Sequence, residues 1–170
     1  MNTTDGEERE LLPQWLEDQG IAPTPAALRR ARETREGLRE LLIANNERRP
    51  PSREAVETVE RAAVRARLTI RFRDGGEVVA TAGGLDGALG GVLAVAFDAM
   101  RGGTWPRLKA CRNCHWAFYD YSRNRSAGWC SMQLCGNRLK TRAYRRRQRG
   151  RRAREDAPRA HARDGRSIQA

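Results

Sequence analysis

Apolar positions recur at helical spacing through most of the first hundred residues. The earliest group, Leu11, Leu12, Trp15 and Leu16, surrounds Pro13 and stops at Gly20, which predicts a short helix that flanks the fold as a lid rather than entering its core. Thr24 before Pro25 is an N-cap followed by proline at the first helical position. From there Leu28, Ala31, Leu38, Leu41 and Leu42 carry one apolar face to Asn45-Asn46, with Arg29, Arg32, Glu36 and Glu40 opposite. After Pro50-Pro51, Ser52 caps a third predicted helix that turns Val56, Val59, Ala63 and Ala66 inward, small side chains suited to close packing. The period then changes from helical to alternating. Leu68 to Arg73 alternates apolar and polar, Asp74-Gly75-Gly76 supplies a turn and Glu77 to Ala80 returns, the pattern of a β-hairpin. Leu85 to Met100 is the most apolar stretch, ended by Gly102-Gly103. Its Leu89, Val92, Leu93, Val95, Ala96, Phe97 and Met100 predict a buried central helix.

Beyond residue 104 this grammar gives way to cysteines and then to arginines. The predicted architecture is α+β and mostly helical. A helical domain with one hairpin occupies 1–104, a four-cysteine zinc-binding module of knuckle, short hairpin and helix occupies 105–149, and a basic tail, expected to be disordered, occupies 150–170.

Charge follows the same division. Residues 1–100 hold 14 basic against 17 acidic side chains, whereas residues 101–170 hold 19 against 4. A cationic third on a near-neutral body suits a polyanion partner, since each phosphate contact releases condensed counterions. Arginine supplies 31 of the 33 basic residues, so an arginine-favouring genome contributes to the total. The acidic bias of the first hundred residues argues against that as the whole explanation. No window is long and apolar enough to cross a bilayer and the first ten residues are acidic, so a cytoplasmic, nucleoid-associated protein is expected.

All four cysteines lie in one segment, as Cys111-x2-Cys114 and Cys130-x4-Cys135 with 15 residues between the pairs. Two close thiol pairs can each close a chelate ring on a tetrahedral ion, and a reducing compartment favours metal over disulfide, so one structural zinc per chain is expected. His115 adjoins Cys114, but four cysteines already complete the set. Leu108 to Ala110 leads into Cys111, Trp116 to Tyr119 alternates like a short strand, Asp120 to Gly128 makes a polar loop, and Ser131 is the expected cap of a helix whose first turn contains Cys135. Trp116, Phe118, Tyr119 and Trp129 are expected to shield the metal, with base stacking as the alternative use. At 3.6 residues per turn Arg138, Arg142, Arg145 and Arg149 share a face, and Lys140 and Arg146 add charge. These six are the candidate nucleic-acid contacts.

Cys135-Gly136-Asn137-Arg138, preceded by Trp129-Cys130-Ser131-Met132 and by Asp120 to Ser126, resembles the CGNR zinc finger from Cys111 to about Arg147. The upstream order of helix, hairpin and helix is similar to the ABATE domain that precedes this finger in proteins grouped as stress-induced transcription regulators. The resemblance implies a DNA-binding finger with Cys111, Cys114, Cys130 and Cys135 as ligands, joined to a domain that senses a ligand or mediates assembly. Members of that group carry an apolar strand before an Asn-Thr pair. Here Met1-Asn2-Thr3 opens the sequence, so the hairpin is expected to keep an unpaired edge.

The leading expectation is therefore a transcription regulator that binds double-stranded DNA through the arginine-rich helix, as a homodimer formed around Val92, with a small-molecule effector for the first domain. Single-stranded RNA binding and a protein-interaction role for the finger are the alternatives. An enzyme is not expected: the first hundred residues hold no histidine, no phosphate-cradling glycine loop and no paired carboxylates.

Overall fold

The computed structural model describes residues 11–73, 75–137, 141, 144–145 and 147–148. It is mostly helical with two small antiparallel hairpins, as the sequence predicts. Helix α1 spans Leu12–Asp18 with Pro13 in its first turn. Expected to be a lid, it instead anchors a core: Leu12 and Leu16, one turn apart, are fully buried with Ala31 and Leu89, and Trp15, Ile21 and Leu28 pack around them. An i, i+4 leucine pair puts both side chains on one stripe, and here that stripe finds a partner helix.

Helix α2, Pro25–Glu47, is the long axis of the fold, about 35 Å at 1.5 Å per residue. Thr24 caps it, its hydroxyl accepting from the Ala27 N–H at 3.2 Å, and Arg48 ends it in the left-handed region. Helix α3, Arg53–Arg65, is capped by Ser52 and packs closely, as its small side chains predict. Its fully buried residues are Ala55 and Ala62, with Ala66 just past its end, while Val56, Val59 and Ala63 lie only half-buried. Gly37 of α2 makes the approach feasible, because a Cβ there would stand 3.1 Å from the Val59 side chain.

Strands β1, Leu68–Arg71, and β2, Glu77–Ala80, pair antiparallel with Leu68 opposite Ala80. Among the described residues no third strand joins them. Helix α4, Gly84–Arg101, packs on β2, α2 and α3. Asp86 in its first turn pairs with Arg30 of α2 and lies 3.8 Å from Arg65 of α3, tying three helices together. The expectation of an all-round buried helix is corrected. Leu89, Gly90, Leu93 and Ala94 face inward, whereas Val95, Phe97 and Met100 are exposed at 69%, 45% and 42%. An apolar run declares that a helix is hydrophobic, not how many neighbours it has, and here they cover one side only. No described helix is long and apolar enough to cross a membrane.

A 3₁₀ turn, Trp105–Arg107, leads from α4 into strand β3, Leu108–Ala110, which the end of α2 holds directly. The Asn45 side-chain amide donates to the carbonyls of Trp105 (2.6 Å) and Leu108 (2.7 Å), and that of Asn46 to Ala110 (2.5 Å).

Two core variants separate from one surface variant. Leu16→Ala is expected to cost about 2–5 kcal/mol through the cavity it leaves. Gly90→Val should also destabilise, since even a Cβ at Gly90 would lie 2.5 Å from Ala80 and 2.6 Å from Ala66. Val95→Ala should stay within about 0.5 kcal/mol. Urea unfolding of the metal-loaded protein checks all three.

Candidate metal centre

Strand β3 pairs antiparallel with β4, Ala117–Tyr119, and the turn between them carries Cys111 and Cys114. The Cys111 N–H donates to the Trp116 carbonyl at 2.8 Å and the His115 N–H to the Cys111 carbonyl at 2.9 Å. Closing so tight a turn puts His115 in the left-handed region at φ 58°, a conformation tolerated by few residue types. The second pair sits on the other side of the loop. Ser131 caps a π-helical turn, Met132–Gly136, its hydroxyl accepting from the Leu134 N–H at 3.3 Å, and this turn brings Cys135 back toward Cys130. Gly136 packs closely here: a Cβ would meet Met132 Sδ at 2.7 Å and the Trp129 ring at 3.2 Å, so a larger residue would have to push the Met132 side chain aside.

The four sulfurs converge. Cys114 Sγ lies 3.7 Å from Cys130 Sγ, Cys130 Sγ 3.7 Å from Cys135 Sγ, and Cys135 Sγ 3.6 Å from Cys114 Sγ. All four lie within 4.8 Å of one another. Thiolates about 2.3 Å from a tetrahedral zinc have S···S edges of about 3.8 Å, whereas a disulfide needs about 2.05 Å. The spacing and the all-sulfur donor set therefore fit one zinc ion.

Backbone donors prepare the site for thiolates. Burial pushes the Cys111 thiol up, but N–H groups of Cys114, Asn113 and Cys130 aimed at its sulfur outweigh that and bring it down to about 7. Burial pushes Cys114 and Cys130 upward, and the neighbouring sulfurs add to the rise at Cys130. The Asn113 side chain also reaches Cys135 Sγ at 3.5 Å.

A family model for the CGNR zinc finger matches residues 107–148, over this cluster. The ABATE model, with the description "Putative stress-induced transcription regulator", matches residues 5–103, more than half of the chain. The chain belongs to the ABATE family. No curated protein matches it. In this ABATE protein the helical region and the finger meet at the seam made by Asn45 and Asn46 on β3.

Sequence reasoning missed the ion pair that organises the finger loop. Lys109 on β3 donates to Asp120 Oδ2 at 2.7 Å and to the carbonyls of Arg125 (2.6 Å) and Ala127 (3.2 Å). Asp120, 1% exposed, accepts from the backbone N–H of Ser122 (2.8 Å) and Ala127 (3.0 Å). Burial alone would raise the Asp120 carboxyl, but these donors hold it at about 2. The only sequence signal was an acidic residue in an otherwise basic module. The four aromatics expected to shield the metal are each half-buried, Trp129 packs beside Gly136, and Tyr121, at 87% exposure, leans on Tyr119 with ring centroids 4.7 Å apart.

Of the predicted nucleic-acid contacts, Arg145 is exposed in a helical position; Arg138, Lys140, Arg142, Arg146 and Arg149 lie outside the described residues. A second cationic surface went unpredicted. Arg48, Arg112 and Arg125, all exposed, line a groove of about 630 Å³ between the end of α2 and the finger, and among the described residues no acidic one lines it.

Two outcomes test the centre. The protein should bind one zinc per chain, with protons released, so apparent affinity should rise from about pH 6 to about pH 8 in chelator competition. Replacing Asp120 with alanine should cost about 3–5 kcal/mol by stranding buried Lys109. Because the Asp120 pKa is depressed, its pairing contributes above the ordinary carboxylate value of about 3.9 and is lost as pH falls through about 2. Above that window the wild-type-to-variant stability gap should be flat, as chemical denaturation across pH would reveal.

Proposed function

We propose that this protein is a DNA-binding transcription regulator in which zinc fixes the finger and arginines on two surfaces hold the duplex. The observation that carries the reading is the groove beside the metal centre that Arg48, Arg112 and Arg125 line with no acidic residue among the described ones. Guanidinium forks bridge phosphate oxygens well, and two of the groove's arginines, Arg112 and Arg125, lie in the same module as the arginine-dense stretch from Arg138 to Arg149. In this reading residues 1–104 form the responsive domain, 105–149 the finger and 150–170 an auxiliary basic tail, and the protein works in the cytoplasm as a binder rather than an enzyme.

A single finger has a small footprint, so the reading includes a homodimer that reads two half-sites. The exposed Val95, Phe97 and Met100 on α4 support that part, because an apolar strip on a surface helix is a common subunit contact. The first domain's effector belongs to the same reading.

Duplex DNA titrated by fluorescence anisotropy at several salt concentrations is the test. Zinc-loaded protein should bind with affinity that falls steeply with salt, and chelator-stripped protein should lose binding. Arg112→Ala and Arg125→Ala should each reduce the log–log salt slope by about 1, and Arg142→Ala with Arg145→Ala by about 2. Preference for single-stranded RNA over duplex at matched salt would overturn the assignment in favour of base stacking on the finger aromatics. Stoichiometric zinc with no nucleic-acid binding would make the finger a protein-contact module.

A further inference from the structure

We infer that the tip of the β1–β2 hairpin is a further DNA-contacting element, carried by the helical region rather than the finger, with Arg71 and Arg73 on phosphates and Phe72 in apolar contact inside the major groove. Charge sets this hairpin apart from its surroundings. Residues 61–73 hold five arginines and no acidic residue, five of the 14 basic side chains in the acid-rich first hundred. Arg61 lies 3.9 Å from Glu57 and Arg65 3.8 Å from Asp86, whereas Arg67, Arg71 and Arg73 are exposed and form no ion pair among the described residues. Asp74 and Glu77 are the acids of the turn and return strand, and Glu77 stands opposite Arg71 in the register without pairing with it.

Phe72 shows that the element meets more than phosphate. Arg71 with Glu77 is the last pair of the hairpin, so Phe72 stands beyond the ladder, and it is 91% exposed. Charged residues on an edge strand discourage sheet pairing between molecules, but that role needs no aromatic ring at the tip. The arginines on either side of Phe72 would also repel the same strand of a second copy. An exposed phenyl between two guanidiniums suits a polyanion with an apolar interior. Duplex DNA is one, with phosphates at the rim of its groove and thymine methyls inside. A two-stranded ribbon fits the major groove, about 12 Å wide, and not the minor groove, about 6 Å. Position points the same way. Leu68 lies over Gly90, where a Cβ would stand 3.5 Å from it, and Phe72 shares a hollow with Phe97 and Arg101. The tip therefore lies at the C-terminal end of α4, from which the 3₁₀ turn Trp105–Arg107 leads into the finger. One duplex can thus reach both.

This element rests on the DNA-binding reading, and the experiment separates the two. Zinc-loaded full-length protein is titrated by fluorescence anisotropy against a labelled duplex of roughly 20 base pairs, about two helical turns, at several salt concentrations. Variants are compared at equal zinc content and equal helical circular dichroism. Arg71→Ala with Arg73→Ala should lower the log–log salt slope by about 2, because each lost phosphate contact leaves its counterions in place. Phe72→Ala should weaken binding about tenfold at every salt concentration and leave the slope unchanged, since an apolar contact releases no counterions. Arg29→Ala removes an exposed charge near the start of α2, away from the finger, and should alter neither affinity nor slope. Wild-type binding that the hairpin variants do not weaken overturns this element and leaves the regulator reading standing. A slope change from Arg29→Ala equal to that of one hairpin arginine overturns it as well, by reducing the effect to net charge. A larger Phe72→Ala loss on single-stranded than on double-stranded DNA of the same sequence would replace the groove contact with base stacking. Absence of any duplex binding by the wild type would overturn both.

Discussion

Four sulfurs held within 4.8 Å of one another cannot all be thiolates unless a cation sits among them, and much of the finger depends on this constraint. Burial and mutual repulsion resist the ionisation of Cys114 and Cys130, while backbone N–H groups favour it at Cys111. The site is thus preorganised at one corner and left frustrated at the others, which is how a metal site couples binding to folding. Little else could fold the module. Strands β3 and β4 have three residues each and the finger aromatics are only half-buried, so apolar burial is small. A four-thiolate zinc site contributes on the order of 10 kcal/mol or more, far above what two such short strands supply.

The Lys109–Asp120 pair serves a different purpose. A buried ion pair is weak evidence for net stability, because desolvating both charges offsets much of their attraction. Its value here lies in geometry. Lys109 gathers the carbonyls of Arg125 and Ala127, and Asp120 gathers the N–H groups of Ser122 and Ala127, so both ends of one loop are fixed to one strand. That loop ends at Gly128, whose carbonyl accepts from Arg112 in the first cysteine turn at 3.0 Å. The pair therefore sets where the second cysteine pair approaches the first, and it holds Arg125 beside Arg112 at the rim of the cationic groove.

What could be read from the sequence was local. Thr24 and Ser52 cap the helices they were expected to cap, the two strands of the expected hairpin pair antiparallel, and the cysteine spacing pointed to the sulfur cluster. Each of these is decided within a few residues. The misreadings concern pairings across the chain. Leu12 and Leu16 are a lid or a core depending on whether Ala31 and Leu89 lie opposite them, and α4 is central or half-exposed depending on how many elements reach it. Asn45 and Asn46 looked like a helix terminus, yet they are cross-links to backbone 60 to 64 residues later. Arg48, Arg112 and Arg125 are ordinary surface arginines until the fold puts them on one groove.

Those asparagines also bear on how the two halves could communicate. Arg35 and Arg39 line a cavity between α2, α4 and the knuckle, and Asn45 and Asn46 hold β3, all on the one uninterrupted helix α2. From Arg39 to Asn45 is about 9 Å along the axis at 1.5 Å per residue, within less than two turns. The asparagine amides hold β3, whose next residue is Cys111 of the sulfur cluster, so the cluster is tied to the end of this helix. How the finger is set on the helical region is therefore decided at the last turn of α2.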